Sequence, residues 1–124
     1  MNLPKGYQTV MPYLILKKTE QFIDFTKKVF GAEELSTFRD EKGALMHAEI
    51  QIGGSTLMMG ESVDQWPVQN AGLFINVENT DATYNKALSN GATSIMPIED
   101  KDYGRTCGVK DPFGNTWWIT QPKS

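Results

Sequence analysis

Histidine and cysteine are all but missing from this chain: 124 residues contain one of each, His47 and Cys107. A lone cysteine cannot close an internal disulfide, so a reducing, cytoplasmic setting is the expectation. One histidine and one cysteine also leave no zinc-type Cys/His spacing. There is no P-loop, no dinucleotide-binding glycine fingerprint and no serine elbow. No apolar run approaches the length of a membrane span. The opening MNLPKGYQTV lacks the basic-then-apolar pattern of a signal peptide. Basic residues never cluster beyond pairs such as Lys17-Lys18 and Lys27-Lys28, and the formal net charge is −3 with a sequence pI near 5.1. Neither nucleic acid nor a membrane is therefore expected as a partner. What remains is ordinary globular composition, 40% hydrophobic and 22% charged, enough for one core.

What the chain does have is a repeat. YLILKKTEQFIDFTKKVFGAEEL (13 to 35) reads as an apolar strand followed by an amphipathic helix. Phe22, Ile23, Thr26, Val29 and Phe30 form its buried stripe, Thr19 is placed to cap its start, and Gly31 stops it. LFINVENTDATYNKALSNGATSI (73 to 95) repeats the pattern, with Thr80 or Asp81 as cap, Tyr84, Ala87 and Leu88 inward, and Gly91 as stop. IGGSTLMMG (52 to 60) and PFGNTWWIT (112 to 120) match in the same way, each with Gly-x-Thr before large residues. Every one of these matches falls at an offset of roughly 60 residues, too long and too few for a solenoid. The spacing predicts an α+β fold of two tandem βαβββ modules, helices outside and a concave mixed sheet between. Residues 1–124 are expected to form one domain: module one over 7–62, a linker loop over 61–71 and module two over 72–122.

Alternation along the strands sorts side chains between two faces. Leu14, Leu16, Met46, Ala48, Ile50, Ile52, Leu57, Met59, Leu73, Ile75, Val77, Trp117 and Ile119 are expected under the helices. Facing the hollow are Met11, Tyr13 and Ile15; Leu45, His47, Glu49 and Gln51; Thr56 and Met58; Gly72, Phe74 and Asn76; Thr116, Trp118 and Thr120. That second set is aromatic and apolar with a few polar groups, the usual make-up of a site for a small organic molecule.

The paired modules, the VFGAEEL helix exit, MHAEIQIGGSTLMMGES and YGRTCGVKDPFGNTWWI together resemble the vicinal oxygen chelate superfamily. This is the group of glyoxalases, bleomycin resistance proteins and extradiol dioxygenases, and within it the chain is most similar to the PhnB-like glyoxalase-related proteins. The likeness spans about Met11 to Pro122. It implies the fold, and a homodimer, since members often complete their sites with strands from two chains. It leaves the reaction open, because the fold carries isomerases, lyases, dioxygenases and drug-binding proteins. The superfamily's metal enzymes hold a divalent ion with His, Gln or Glu from four strands. Carried over, those positions fall on Met11, Met58, Gly72 and Trp118, which supply neither oxygen nor imidazole nitrogen. No metal or other cofactor is expected there, and a relocated divalent metal is the alternative.

Two functions follow as expectations. In one, the protein binds or sequesters a hydrophobic or planar molecule in a metal-free aromatic site lined by Tyr13, Met58, Phe74, Arg105 and Trp118. In the other, it is a glyoxalase-type lyase or isomerase using His47 and Glu49 as catalytic base and electrostatic partner. Those two lie two residues apart on one strand face, with Cβ atoms roughly 6–7 Å apart. Trp118 either offers a flat surface to a ligand or fills the space of a lost metal. Arg105 either holds an anionic group of the ligand with its fork or pairs with Asp100 or Asp102. Cys107 reads as a small inward residue rather than a nucleophile. Trp66 and Tyr103 are read as loop aromatics that cover the site, meet a second subunit or anchor the chain's own core.

Overall fold

The computed structural model describes the whole chain, Met1–Ser124. In chain order the elements are Tyr13–Leu16 (β1), Thr19–Phe30 (α1), Glu33–Arg39 (β2), Leu45–Ile52 (β3), Ser55–Glu61 (β4), Gly72–Asn76 (β5), Thr80–Ser89 (α2), Thr93–Lys101 (β6), Gly104–Lys110 (β7) and Thr116–Pro122 (β8). The strands form two four-stranded mixed sheets, ordered β1-β4-β3-β2 and β5-β8-β7-β6. The repeat read from the sequence is thus a repeat of topology: strand, helix, three strands, with the first strand parallel to the last. The chain divides into two compact units, Met1–Gln69 and Asn70–Ser124.

In the first unit α1 lies against β3 and β4. Phe22, Ile23, Phe25, Thr26 and Val29 are buried along its inner face, and Leu14, Leu16, Ala48, Ile50, Leu57 and Met59 meet them from the sheet. The expected alternation holds for these strands. Gly31 ends the helix at φ 71, donating its N–H to Lys27 in a left-handed stop that suits glycine. Late in the first unit, residues 63 to 66 form a narrow turn closed by two backbone hydrogen bonds, and Gln69 exchanges a pair of them with Ile15. Trp66 stays 59% exposed on that turn.

In the second unit α2 lies against β6, β7 and β8. Cys107, Val109, Trp117 and Ile119 make the buried layer. The helix buries only Thr80 and Ala87 fully; Tyr84 is half-buried and Leu88, expected inward, is exposed. A ten-residue helix with alanine at its closest approach has little apolar surface to hide. The DPFGN turn before β8 is built around the carboxylate of Asp111, which is buried. It accepts from the backbone N–H of Phe113 and Asn115, from the Asn115 amide and from Trp117 Nε1 at 2.8 Å. Asn115 in turn accepts from Ala71 N and Asn70 Nδ2. This ties the start of β5 to the turn.

Helix capping differs from the sequence expectation. Thr19 and Thr80 or Asp81 do not cap. Asn79 caps α2, accepting from Ala82 N, while α1 follows Lys18 in a left-handed conformation with no side-chain cap from its own segment. Instead Glu61, at the end of β4, accepts from Lys18 N and Thr19 N, and Gln121, at the matching place in β8, accepts from Thr80 N. A carboxylate there also meets the positive end of the helix dipole. Each module thus caps its helix from its own last strand, a long-range pairing that local capping rules do not anticipate.

Thr80 Oγ1 donates to the Arg105 carbonyl, whereas the buried hydroxyl of Thr19 has no partner. Thr19→Val keeps the shape and removes an unsatisfied hydroxyl, so it is expected to raise stability by about 1 kcal/mol. Urea denaturation checks this; a loss of stability would mean the hydroxyl is bonded after all.

Candidate functional site

Two side-chain clusters stand on the sheet faces opposite the helices, one in each unit. In the first unit they lie in cross-strand rows. Tyr13 pairs with Met58 and Met58 with Glu49, while Gly60 pairs with His47 and His47 with Phe38. Four polar groups then link end to end. Tyr7 Oη donates to Glu49 Oε2 at 2.7 Å, His47 Nε2 stands 3.5 Å from the same oxygen, and Tyr13 Oη stands 3.2 Å from His47 Nδ1.

The carboxylate decides the tautomer. A bare ring nitrogen facing Glu49 would be repelled, so the arrangement favours the tautomer with the proton on Nε2 and Nδ1 accepting from Tyr13. The 3.5 Å gap is long for a neutral hydrogen bond and suits an ion pair when the ring is charged. By accepting Tyr7's hydrogen bond, the Glu49 carboxylate pushes that phenol above the ordinary tyrosine value. Gly60 of β4 leaves room for Tyr13 beside His47: a Cβ there would sit 3.0 Å from the Tyr13 oxygen and crowd it. Tyr13 is 51% exposed and Met58 beside it half-buried.

The N-terminal segment completes this face, which strand alternation could not foresee. Gln8 Nε2 donates to the Thr56 carbonyl, and the Thr56 hydroxyl donates to the Gly6 carbonyl. Thr56, expected to face the hollow, is consequently buried. Met11 lies before β1 rather than in it. Leu45, placed with the polar set by alternation, is buried as well, next to a register shift between β2 and β3.

In the second unit Phe74 pairs with Trp118, and Trp118 with Gly108. The indole lies flat across that glycine: a Cβ there would collide with Cζ3 and sit 2.8 Å from Cε3. Phe74 is 55% exposed and Trp118 36%. Tyr103 stands beside Phe74 with ring centroids 6.2 Å apart, and Ile95 flanks the same glycine. The Phe74 and Tyr103 rings are tilted by 51° to one another, and with Trp118 they leave exposed aromatic surface on this face. Thr120, expected on this face, is buried and hydrogen-bonded to Thr106 at 2.7 Å.

Arg105 does not join them. It lies on the helix side of the sheet, in the row of Cys107 and Val109, where Nε and Nη2 bind Asp81 and Nη1 binds Asp100. Those carboxylates raise its already high pKa further and occupy the fork that a ligand anion would need. Of the two acids foreseen as partners, Asp100 is used; Asp81, from the first turn of α2, supplies the bidentate contact.

No group of three or more His, Cys, Asp or Glu side chains converges as a metal cage. His47 and Glu49 are a pair, and their inward atoms are engaged with tyrosine hydroxyls. Two donors are too few to hold a divalent ion, and the side chains of Met11, Met58, Gly72 and Trp118 offer neither oxygen nor imidazole nitrogen. Cys107 is buried, and that burial, with Asp81 adding a smaller effect, pushes its thiol from 9.0 up to about 11.

Comparison with known proteins agrees with this architecture. The model of the Glyoxalase/Bleomycin resistance protein/Dioxygenase superfamily matches residues 8–119. An uncharacterized protein of Mycobacterium bovis is 34% identical over 123 residues, covering 90% of this chain and 81% of its own length. Among solved structures, the PhnB protein from Bacillus cereus, named a putative 3-demethylubiquinone-9 3-methyltransferase, is 19% identical with a TM-score of 0.72, covering 92% of this chain and 99% of its own. TnmS3, an antibiotic binding protein from Streptomyces sp. CB03234, is 18% identical with a TM-score of 0.68, covering 94% and 100%. At these identities the two structures are alike in fold.

Two measurements check the local geometry. Gly108→Ala should displace Trp118, costing about 1–3 kcal/mol by overpacking and shifting tryptophan emission. Unchanged emission and stability would contradict the packing. Above pH 9.0 an unfolded Cys107 releases its proton while the native thiol holds it to about 11, so stability should fall as pH rises through that window. In Cys107→Ala that part of the slope, measured by denaturation across the window, should vanish; parallel profiles would contradict the burial.

Proposed function

The chain belongs to the Glyoxalase/Bleomycin resistance protein/Dioxygenase superfamily, and from that premise we propose that it binds a small, planar or hydrophobic organic molecule without the help of a metal. The observation that carries this reading is the Phe74–Trp118 pair, exposed on a helix-free sheet face with the indole laid flat over Gly108. Stacking of a flat ligand on two such rings removes apolar area from water on both partners. TnmS3, which shares the fold, is named an antibiotic binding protein, so the architecture is compatible with holding an organic ligand. The chemistry of the donor sets supports the metal-free part: thioether, indole and a glycine stand where oxygen and imidazole would be needed. Arg105 has no part in this site, because its fork is committed to Asp81 and Asp100.

A second reading has its own support. The run from Tyr13 through His47 and Glu49 to Tyr7 is an oriented imidazole between a carboxylate and a hydroxyl, the arrangement general acid–base chemistry uses. An enzyme of lyase or isomerase type would use it on a bound substrate.

The binding reading is tested with planar aromatic compounds titrated against intrinsic fluorescence. The chain has three tryptophans, Trp66, Trp117 and Trp118. Quenching should saturate in the wild type and in Trp66→Phe, and weaken at least tenfold in apparent affinity in Trp118→Ala. Equal affinity in Trp118→Ala would place the ligand elsewhere.

A further inference from the structure

The first unit points to a specific role for Tyr13, resting on the acid–base reading only for its use of the His47–Glu49 pair. We infer that Tyr13 is the group that meets the ligand, and that it accepts a proton from a weakly acidic hydroxyl, such as an enol or an acidic phenol, and passes its own to His47.

The geometry sets the direction. Glu49 fixes the proton on Nε2, so the free lone pair of His47 is on Nδ1, and Nδ1 faces Tyr13 Oη at 3.2 Å. The imidazole itself is half-buried, whereas the tyrosine is 51% exposed. A ligand therefore finds the phenol oxygen first. With its hydrogen turned toward Nδ1, that oxygen presents lone pairs outward and acts as an acceptor.

The step balances without any further reactant. The ligand O–H bond breaks as a new O–H forms on Tyr13; the original Tyr13 O–H breaks as Nδ1–H forms. The ligand is left as an oxyanion and His47 as an imidazolium, with no change of oxidation state. The charge created on the ring lies against the Glu49 carboxylate, where the separation already suits an ion pair. Tyr7, bonded to the same carboxylate oxygen, holds it in place. Tyr13 from β1, Glu49 from β3 and Tyr7 from the N-terminal segment are the titratable groups facing this ring. The neighbouring strands contribute Gly60 and Phe38, which carry no charge. Phe38 is exposed and Met58 half-exposed on the same face, giving an aromatic or enol ligand apolar atoms to rest on.

In this arrangement Tyr13 is the catalytic residue, and His47 and Glu49 act through it. A conservative Tyr13→Phe change keeps the ring over Gly60 and removes only the oxygen. The probe is 4-nitrophenol, whose phenolate absorbs where the phenol does not. Just below neutrality, where the imidazole can still take up a proton and most of the free compound is protonated, the wild-type protein should raise the phenolate band well above that of the free compound. Tyr13→Phe should abolish the rise and Glu49→Gln should reduce it.

No rise in phenolate with the wild type, whether the probe stays free or binds protonated, overturns the proposal. So does an unchanged rise in Tyr13→Phe. The fluorescence titration with other planar compounds fails or succeeds independently, which separates this outcome from the stacking reading. A second measurement needs no ligand. His47 is the only histidine, so all imidazole signals in a nitrogen-15 spectrum at mildly alkaline pH belong to it, and their couplings to the two ring C–H protons tell Nδ1 from Nε2. The expected neutral form carries its proton on Nε2. A proton on Nδ1 would leave Tyr13 nothing to donate to and would overturn the relay.

Discussion

Each of the two sheets has one helix to bury it, and the rest of the structure follows from that constraint. A strand places alternate side chains on opposite faces, so only one set per sheet can pack against the helix. That set is Leu14, Leu16, Ala48, Ile50, Leu57 and Met59 in the first unit, and Cys107, Val109, Trp117 and Ile119 in the second. The other set must be stabilised another way. The chain uses hydrogen bonds in one case, Tyr7–Glu49 and Tyr13–His47, and aromatic side chains in the other, Trp118 against Gly108 and Phe74 beside Tyr103. Both devices depend on a glycine in the neighbouring strand. Gly60 gives Tyr13 room and Gly108 gives Trp118 room.

The duplication was legible because its marks are local: a glycine stop after each helix, a Gly-x-Thr before each final large-residue strand, apolar residues two apart. Those rules operate within a dozen residues and survive into the structure. What escaped sequence reasoning is long-range. Glu61 and Gln121 reach helix starts some forty residues away, and nothing in Thr19 or Thr80 announces that their caps lie elsewhere. Tyr7 belongs to no strand, so no periodicity could assign it to Glu49. Leu88 kept helical phase with Ala87 and Tyr84, yet a helix that packs through a single alanine leaves it exposed.

The candidate site divides in the same way. Tyr13, His47, Glu49 and Met58 were placed on one face by alternation alone, as were Phe74 and Trp118. Arg105 was not, because alternation puts it with Cys107, and its partner Asp81 is set by the placement of α2 rather than by sequence proximity. The signal that could have found this was available in part: Asp81 stands in the first turn of a helix that must pack beside β7. The expectation of a metal-free site rests on donor chemistry: the side chains at Met11, Met58, Gly72 and Trp118 offer no oxygen or imidazole nitrogen.

We propose that these faces work through stacking and hydrogen bonds rather than through a divalent ion. Calorimetric titration of Ni²⁺ and Zn²⁺ into protein without an affinity tag, beside a His47→Ala variant, decides between the two. No saturable binding at micromolar strength is expected for either ion in either protein. Tight one-to-one binding that disappears in His47→Ala would contradict it, and would make the His47–Glu49 pair the core of a relocated metal site.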